Sequence, residues 1–180
     1  MFKRVVLPVG LVLLLLTACG TKATKPELKY SVPSDCQSTK ILAALPASIP
    51  SPAWIDTKWQ PAEGTDLYNA INSGGIACTY GNQQAEIGTT VMWAPSEPKV
   101  FDEMAKKWSA AGQTKIDIPG VKESSAYWSG NEATGADNMH TWSINILYKY
   151  NWIQVNGSFI YSMDDALPII KAAIGSLVNG

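Results

Sequence analysis

The apolar positions of this chain change period several times, and each change marks an element. Val5 to Leu16 is an apolar run broken only by Pro8 and Gly10. Residues 20–34 are polar and without period. The clearest alternation begins at Thr141. Trp142, Ile144, Ile146, Tyr148 and Tyr150 share one face, and Thr141, Ser143, Asn145 and Lys149 the other, with Leu147 breaking the polar side. That is the signature of a half-buried strand. A tight turn near Tyr150 and Asn151 leads to its hairpin partner, WIQVNGSFIY. IACTYGNQQAEIGTTVMW reads as a second hairpin, with Ile87, Thr89, Val91 and Trp93 on one face of the return strand. TKIDIPGVKESSAYW reads as two strands about a Pro-Gly turn.

Four segments carry the helical period instead. Ser34 and Gln37 form a capping box before Ile41, Leu42 and Leu45, and Pro46 ends that helix, which places Cys36 in its first turn. Thr65 or Asp66 caps a short helix with Leu67, Tyr68 and Ile71, closed by Gly74 and Gly75. Ser96 caps a longer one with Phe101, Met104, Ala105, Trp108 and Ala111 at helical spacing, ended by Gly112. Asp164 or Asp165 caps the last, with Pro168 in its first turn and Leu167, Ile170, Ile174 and Leu177 facing inward. Hairpins dominate and no βαβ series occurs. The expected fold is therefore a single globular α+β domain over residues 35–180, a mostly antiparallel sheet of about five to six strands with helices packed on one or both faces.

The first 34 residues have another purpose. Lys3 and Arg4 precede an apolar stretch shorter than the roughly 20 residues a spanning helix needs, which fits a secretory signal peptide over residues 1–18. Leu16-Thr17-Ala18-Cys19 then resembles the bacterial lipobox, in which the cysteine is acylated and becomes the first mature residue. The alternative is an ordinary signal with a chance cysteine. Residues 19–34, with Pro26 and Pro33, read as a lipid-anchored flexible tether, or alternatively as containing an edge strand around Leu28 to Val32. The expected location is the outer face of the cell membrane. Lys3 and Arg4 would leave with the signal, so the 14 basic residues fall to 12 against 15 acidic, a mature formal charge of about −3. Arg4 is the sole arginine and no basic run exists, which argues against nucleic acid as a partner.

Acylation of Cys19 resolves an odd cysteine count. Cys36 and Cys78 remain as one pair in an oxidising compartment, expected to be a disulfide; two free buried thiols are the alternative. A lipobox, a short tether, DC before ILAAL, and a second cysteine in GGIACTYG ahead of a strand ending in Trp resemble small cell-envelope lipoproteins of actinobacteria. The likeness spans roughly residues 13–94. Tyr80 stands where that group often has Trp. The resemblance implies an envelope lipoprotein of unknown function and carries over no catalytic residue.

Catalytic signatures are sparse. His140 is the single histidine, and it begins a predicted strand after a polar loop. No G-x-S-x-G elbow, Walker A loop or G-x-G-x-x-G turn occurs, and neither cysteine has zinc-ligand spacing. No cofactor or metal is expected. A carboxylate pair for glycoside hydrolysis, assembled across space, stays open as the less favoured reading. Seven tryptophans are many for this length. Trp54 and Trp59 fall in a Pro-rich segment that does not read as a sheet strand, so each is either a contact for a partner or a plug for a secondary core. Trp128, ahead of a polar loop, is a weaker contact candidate. The expected function is a non-enzymatic binding or accessory module of the envelope, contacting an envelope protein, cell-wall glycan or lipid. The alternative is a lipid or small-molecule carrier with an apolar pocket between helices and sheet.

Overall fold

The structure is a computed structural model and describes residues 30–131 and 141–179. The segment read as a signal (1–18), Cys19, the segment read as a tether as far as residue 29, and His140 lie outside the described residues. The chain folds as α+β. Its main sheet has seven antiparallel strands: β2 (Ala53–Ile55), β3 (Ile76–Asn82), β4 (Ile87–Pro95), β5 (Thr114–Ile116), β6 (Ser124–Asn131), β7 (Thr141–Tyr148) and β8 (Asn151–Gly157), in the order β2-β3-β4-β8-β7-β6-β5. A two-residue ribbon pairs β1 (Tyr30–Ser31) with β9 (Val178–Asn179). The folded chain thus begins by Tyr30, within the segment that sequence reads as tether. The helices are α1 (Ile41–Ala44), α2 (Asp66–Asn72), α3 (Pro98–Ala110) and α4 (Met163–Ile174).

Register across the sheet explains its two faces. Cys78 opposes Val91, Val91 opposes Val155, Val155 opposes Ile144 and Ile144 opposes Trp128, so one apolar row crosses five strands. With Tyr80, Trp93, Ile146 and Ile153 it forms the larger core, closed by Ile41 of α1 and by Ala166, Ile169, Ile170 and Ala173 of α4. The opposite face carries Ala77, Met92, Ala94 and Trp152 and is closed by Ala70 of α2 and by Phe101, Ala105 and Trp108 of α3. Helices therefore cover both faces. Burial on two sides explains why β7 is not half-solvated as its alternation predicts. Asn145 on its polar side is fully buried, and its side chain donates to Gln113 at 3.1 Å.

The seventh strand is β2, which the Pro-rich sequence around it conceals. Ala53, Trp54 and Ile55 pair with Gly81, Tyr80 and Thr79. Pro50 and Pro52 precede it, and proline is tolerated on an edge strand, where one row of donors has no partner. The reading of Trp54 as irregular chain is corrected accordingly. The first helix is shorter than its capping box predicts. Asp35 Oδ1 accepts from the Ser38 backbone N–H at 2.8 Å, a local turn that competes with helix, so Cys36 precedes α1 by a turn. α3 starts after Glu97 rather than Ser96, which is buried. α4 is capped two or three residues early: Ser162 Oγ accepts from Asp165 N at 3.2 Å, and Asp165 Oδ2 accepts from Tyr161 N at 3.2 Å. Pro168 consequently lies inside the helix, not in its first turn. Thr65 caps α2 as its sequence predicts, accepting from Tyr68 N at 3.2 Å.

Cys36 and Cys78 are joined by a disulfide, with Cα atoms 5.5 Å apart. It fixes the segment before α1 onto the middle of β3. Tyr80, two residues further along the same face, donates its hydroxyl proton to the Cys36 carbonyl at 2.7 Å. The passage from α2 into β3 needs a glycine. A Cβ at Gly75 would sit 2.3 Å from the Trp93 carbonyl and 2.6 Å from that of Ala70, both backbone atoms.

Candidate functional site

Most polar atoms inside the fold are paired. Under α2 and α3, Asp66 Oδ2 accepts from Trp108 Nε1 at 2.8 Å and from Gln154 Nε2 at 3.2 Å. Asn145 Oδ1 accepts from Trp152 Nε1 at 2.9 Å and from Gln154 Nε2 at 2.8 Å. Trp93 Nε1 donates to the Ala173 carbonyl of α4 at 2.9 Å. These bonds hold the helices to the sheet. Tyr80 is part of the same scaffolding. Burial, first, and the nearby Asp35 carboxylate push its phenol above the ordinary tyrosine value, against a bond with Thr39 that lowers it. Asp35 is held below the usual carboxylate value chiefly by the Ser38 N–H.

One buried donor is different. Trp142 in β7 is 1% exposed, and among the described residues its indole N–H has no hydrogen-bond partner. An unpaired buried donor costs about 1–3 kcal/mol and calls for an explanation. Trp142 lines a cavity of about 220 Å³ together with Trp128 of β6, Ile116 and Asp117 at the end of β5, Pro119, and Met163 at the start of α4. The cavity arises from the topology. β5 and β6 form the far edge of the sheet, and Met163 at the start of α4 closes one side of the cavity there. Trp142 opposes Gly130, and the Trp128 and Trp142 rings lie 6.1 Å apart at 38°. A Cβ on Gly130 would meet Trp128 Cζ3 at 3.0 Å and Trp142 Cδ1 at 3.3 Å, so glycine is what lets both indoles lie across that strand end. Asp117, the cavity's ionisable side chain, is exposed at its rim.

Of the three tryptophans singled out from sequence, Trp128 lines this cavity. Trp54 and Trp59 are at the other edge of the sheet and do not join it. Trp54 is partly buried against the larger core. Trp59 packs against the smaller core, and its N–H donates to the Ala77 carbonyl at 2.9 Å. They secure the β2 edge. Trp142 was legible only as one more inward position of an alternating strand. The glycine opposite it in a neighbouring strand was the available signal, and only the register gives that signal meaning.

Among the described residues no group of three or more His, Cys, Asp or Glu is placed to hold a metal ion, and no helix is long and apolar enough to cross a membrane. No protein family, no curated protein and no solved structure matches the chain.

Proposed function

We propose that this protein is an extracytoplasmic module, anchored to the membrane through acylated Cys19, that binds a small apolar group carrying a hydrogen-bond acceptor in the Trp128–Trp142 cavity. The observation that carries the reading is the apolar cavity walled by Trp128 and Trp142, behind whose surface the orphan Trp142 N–H lies closed to solvent. A compact hydrophobic body buries its own surface there, and a carbonyl or ether oxygen on it satisfies that donor once the Trp142 ring turns toward the cavity. Size separates this reading from a lipid carrier. A cavity of about 150 Å³ accommodates benzene, so about 220 Å³ takes one ring or a short branched chain rather than a whole lipid. The group recognised is then the end of a larger envelope molecule or a small free compound. A non-enzymatic role fits a cavity whose ionisable side chain stands alone at the rim.

The test is binding of acetophenone and of ethylbenzene, bodies of matched size with and without a carbonyl, followed by tryptophan fluorescence. Acetophenone should bind about 3- to 10-fold more tightly, the worth of one net hydrogen bond. Gly130→Val should abolish binding of both by filling the space over the indoles, while leaving the disulfide formed. Equal affinity of the two probes, or binding that survives Gly130→Val, overturns the assignment.

A further inference from the structure

The tether meets the domain at a second feature, distinct from the cavity. Tyr30, the first described residue, packs against Tyr148 with ring centroids 6.4 Å apart, and both line an open cleft with Lys122, Lys149 and Lys171. Glu123 is the acidic side chain in that cleft and is paired to Lys149. The pair holds the Glu123 carboxyl below and the Lys149 ammonium above their ordinary values. The three lysines come from three separate elements: the β5–β6 connection, the β7–β8 turn and α4. Their convergence beside Tyr30 is a property of the fold. In sequence, residues 20–29 contain Lys22, Lys25 and Lys29 against Glu27 alone. The three cleft lysines converge in a chain whose formal balance is negative.

We infer that this cleft lies against an anionic lipid surface and sets the orientation of the anchored domain. The inference rests on the proposal that Cys19 carries the anchor. Ten residues lie between Cys19 and Tyr30, eleven chain steps, so at full extension the cleft is held within roughly 40 Å of the lipid. Lysines near an anionic surface attract it within about one Debye length, and tyrosines suit the boundary between headgroup and water. The orientation has a consequence for the cavity. Lys171 and Met163 sit on α4 about 12 Å apart along the helix axis. Pro119 lines the cavity and Gly120 the cleft, so the two are neighbours, and a cleft held against lipid keeps the cavity close to that surface.

The experiment uses the chain from residue 19 carrying Cys19→Ser, so that no acyl chain contributes. It is co-sedimented at low salt with vesicles of phosphatidylcholine, with and without 30 mol% phosphatidylglycerol (roughly the anionic content that gives a strong surface potential). Binding should be at least about tenfold greater on the anionic vesicles. Lys122→Gln/Lys149→Gln/Lys171→Gln should remove most of that preference. Lys58→Gln/Lys106→Gln/Lys107→Gln, which changes the net charge equally, should keep it. Equal losses in the two triple variants, or no preference in the parent chain, overturn the inference. The mass of the native N-terminal peptide reports separately on Cys19: an unmodified cysteine there refutes the anchor and leaves the vesicle result to judge the cleft alone.

Discussion

Breaking the Cys36–Cys78 bridge tests how the first segment is held to the sheet. The cysteines are separated by 42 positions, and the bridge joins the chain before α1 to the second strand of the sheet. Closing a loop of that length in the unfolded chain removes entropy equivalent to about 4 kcal/mol. For a domain of this size each kcal/mol moves the melting temperature by about 2–4 °C, so losing the bridge should lower it by roughly 8–16 °C. The native contacts around it are few enough not to replace it. Cys36 is only partly buried, and α1 is a single turn. The assay is scanning calorimetry of three samples: the oxidised protein, the same protein in a phosphine reductant, and Cys36→Ala/Cys78→Ala. The reduced protein and the double variant should melt near one another and well below the oxidised form. A double variant melting within about 2 °C of the parent, less than 1 kcal/mol by the same scale, would refute the reasoning and mean that the Tyr80 bond and the α1 contacts hold the segment unaided.

Two further outcomes follow from individual polar atoms. Trp93→Phe and Trp142→Phe remove the same atoms from the same core, but Trp93 donates to the Ala173 carbonyl and Trp142 donates to no described residue. By urea unfolding Trp93→Phe should therefore cost about 2–3 kcal/mol more than Trp142→Phe, whose lost packing is offset by relief of an unpaired donor; similar costs would show that the Trp142 N–H is satisfied after all. The raised Tyr80 phenol gives a pH dependence. Its contribution to stability is complete below the ordinary tyrosine value of 10.0 and is lost as pH rises through its own higher value. The urea midpoint should fall more steeply above pH 10 in the parent than in Tyr80→Phe, and parallel curves would exclude Tyr80 as the cause.

How much of this was legible in the sequence depends on the range of the physics involved. Strands with an apolar residue at every second position, such as β7, announce themselves because period two acts over neighbouring residues. The cysteine pairing emerged by elimination, once the lipobox reading set Cys19 aside. Strand β2 did not show, because its three residues are flanked by prolines and become a strand only when β3 offers an edge. The length of α1 turned on whether Asp35 would bond locally or start a helix, and the local turn won. The covering of the polar face of β7 depended on where α3 docks, which no local period encodes. Trp128 was picked out for its place before a loop, and its partners in the cavity come from β5, β7 and α4. Their meeting is a product of strand order. The same holds for the lysines beside Tyr30, scattered singly in sequence and gathered by the fold.

The most direct test of the central claim is the indole resonance of Trp142 in a ¹H–¹⁵N correlation spectrum, assigned through Trp142→Phe. In the free protein it should lie upfield, as an N–H without an acceptor does. Acetophenone should shift it downfield in a saturable manner, ethylbenzene should not, and the Trp93 indole should stay in place with both. A Trp142 indole that is already downfield in the free protein, or that responds equally to the two probes, would contradict the account.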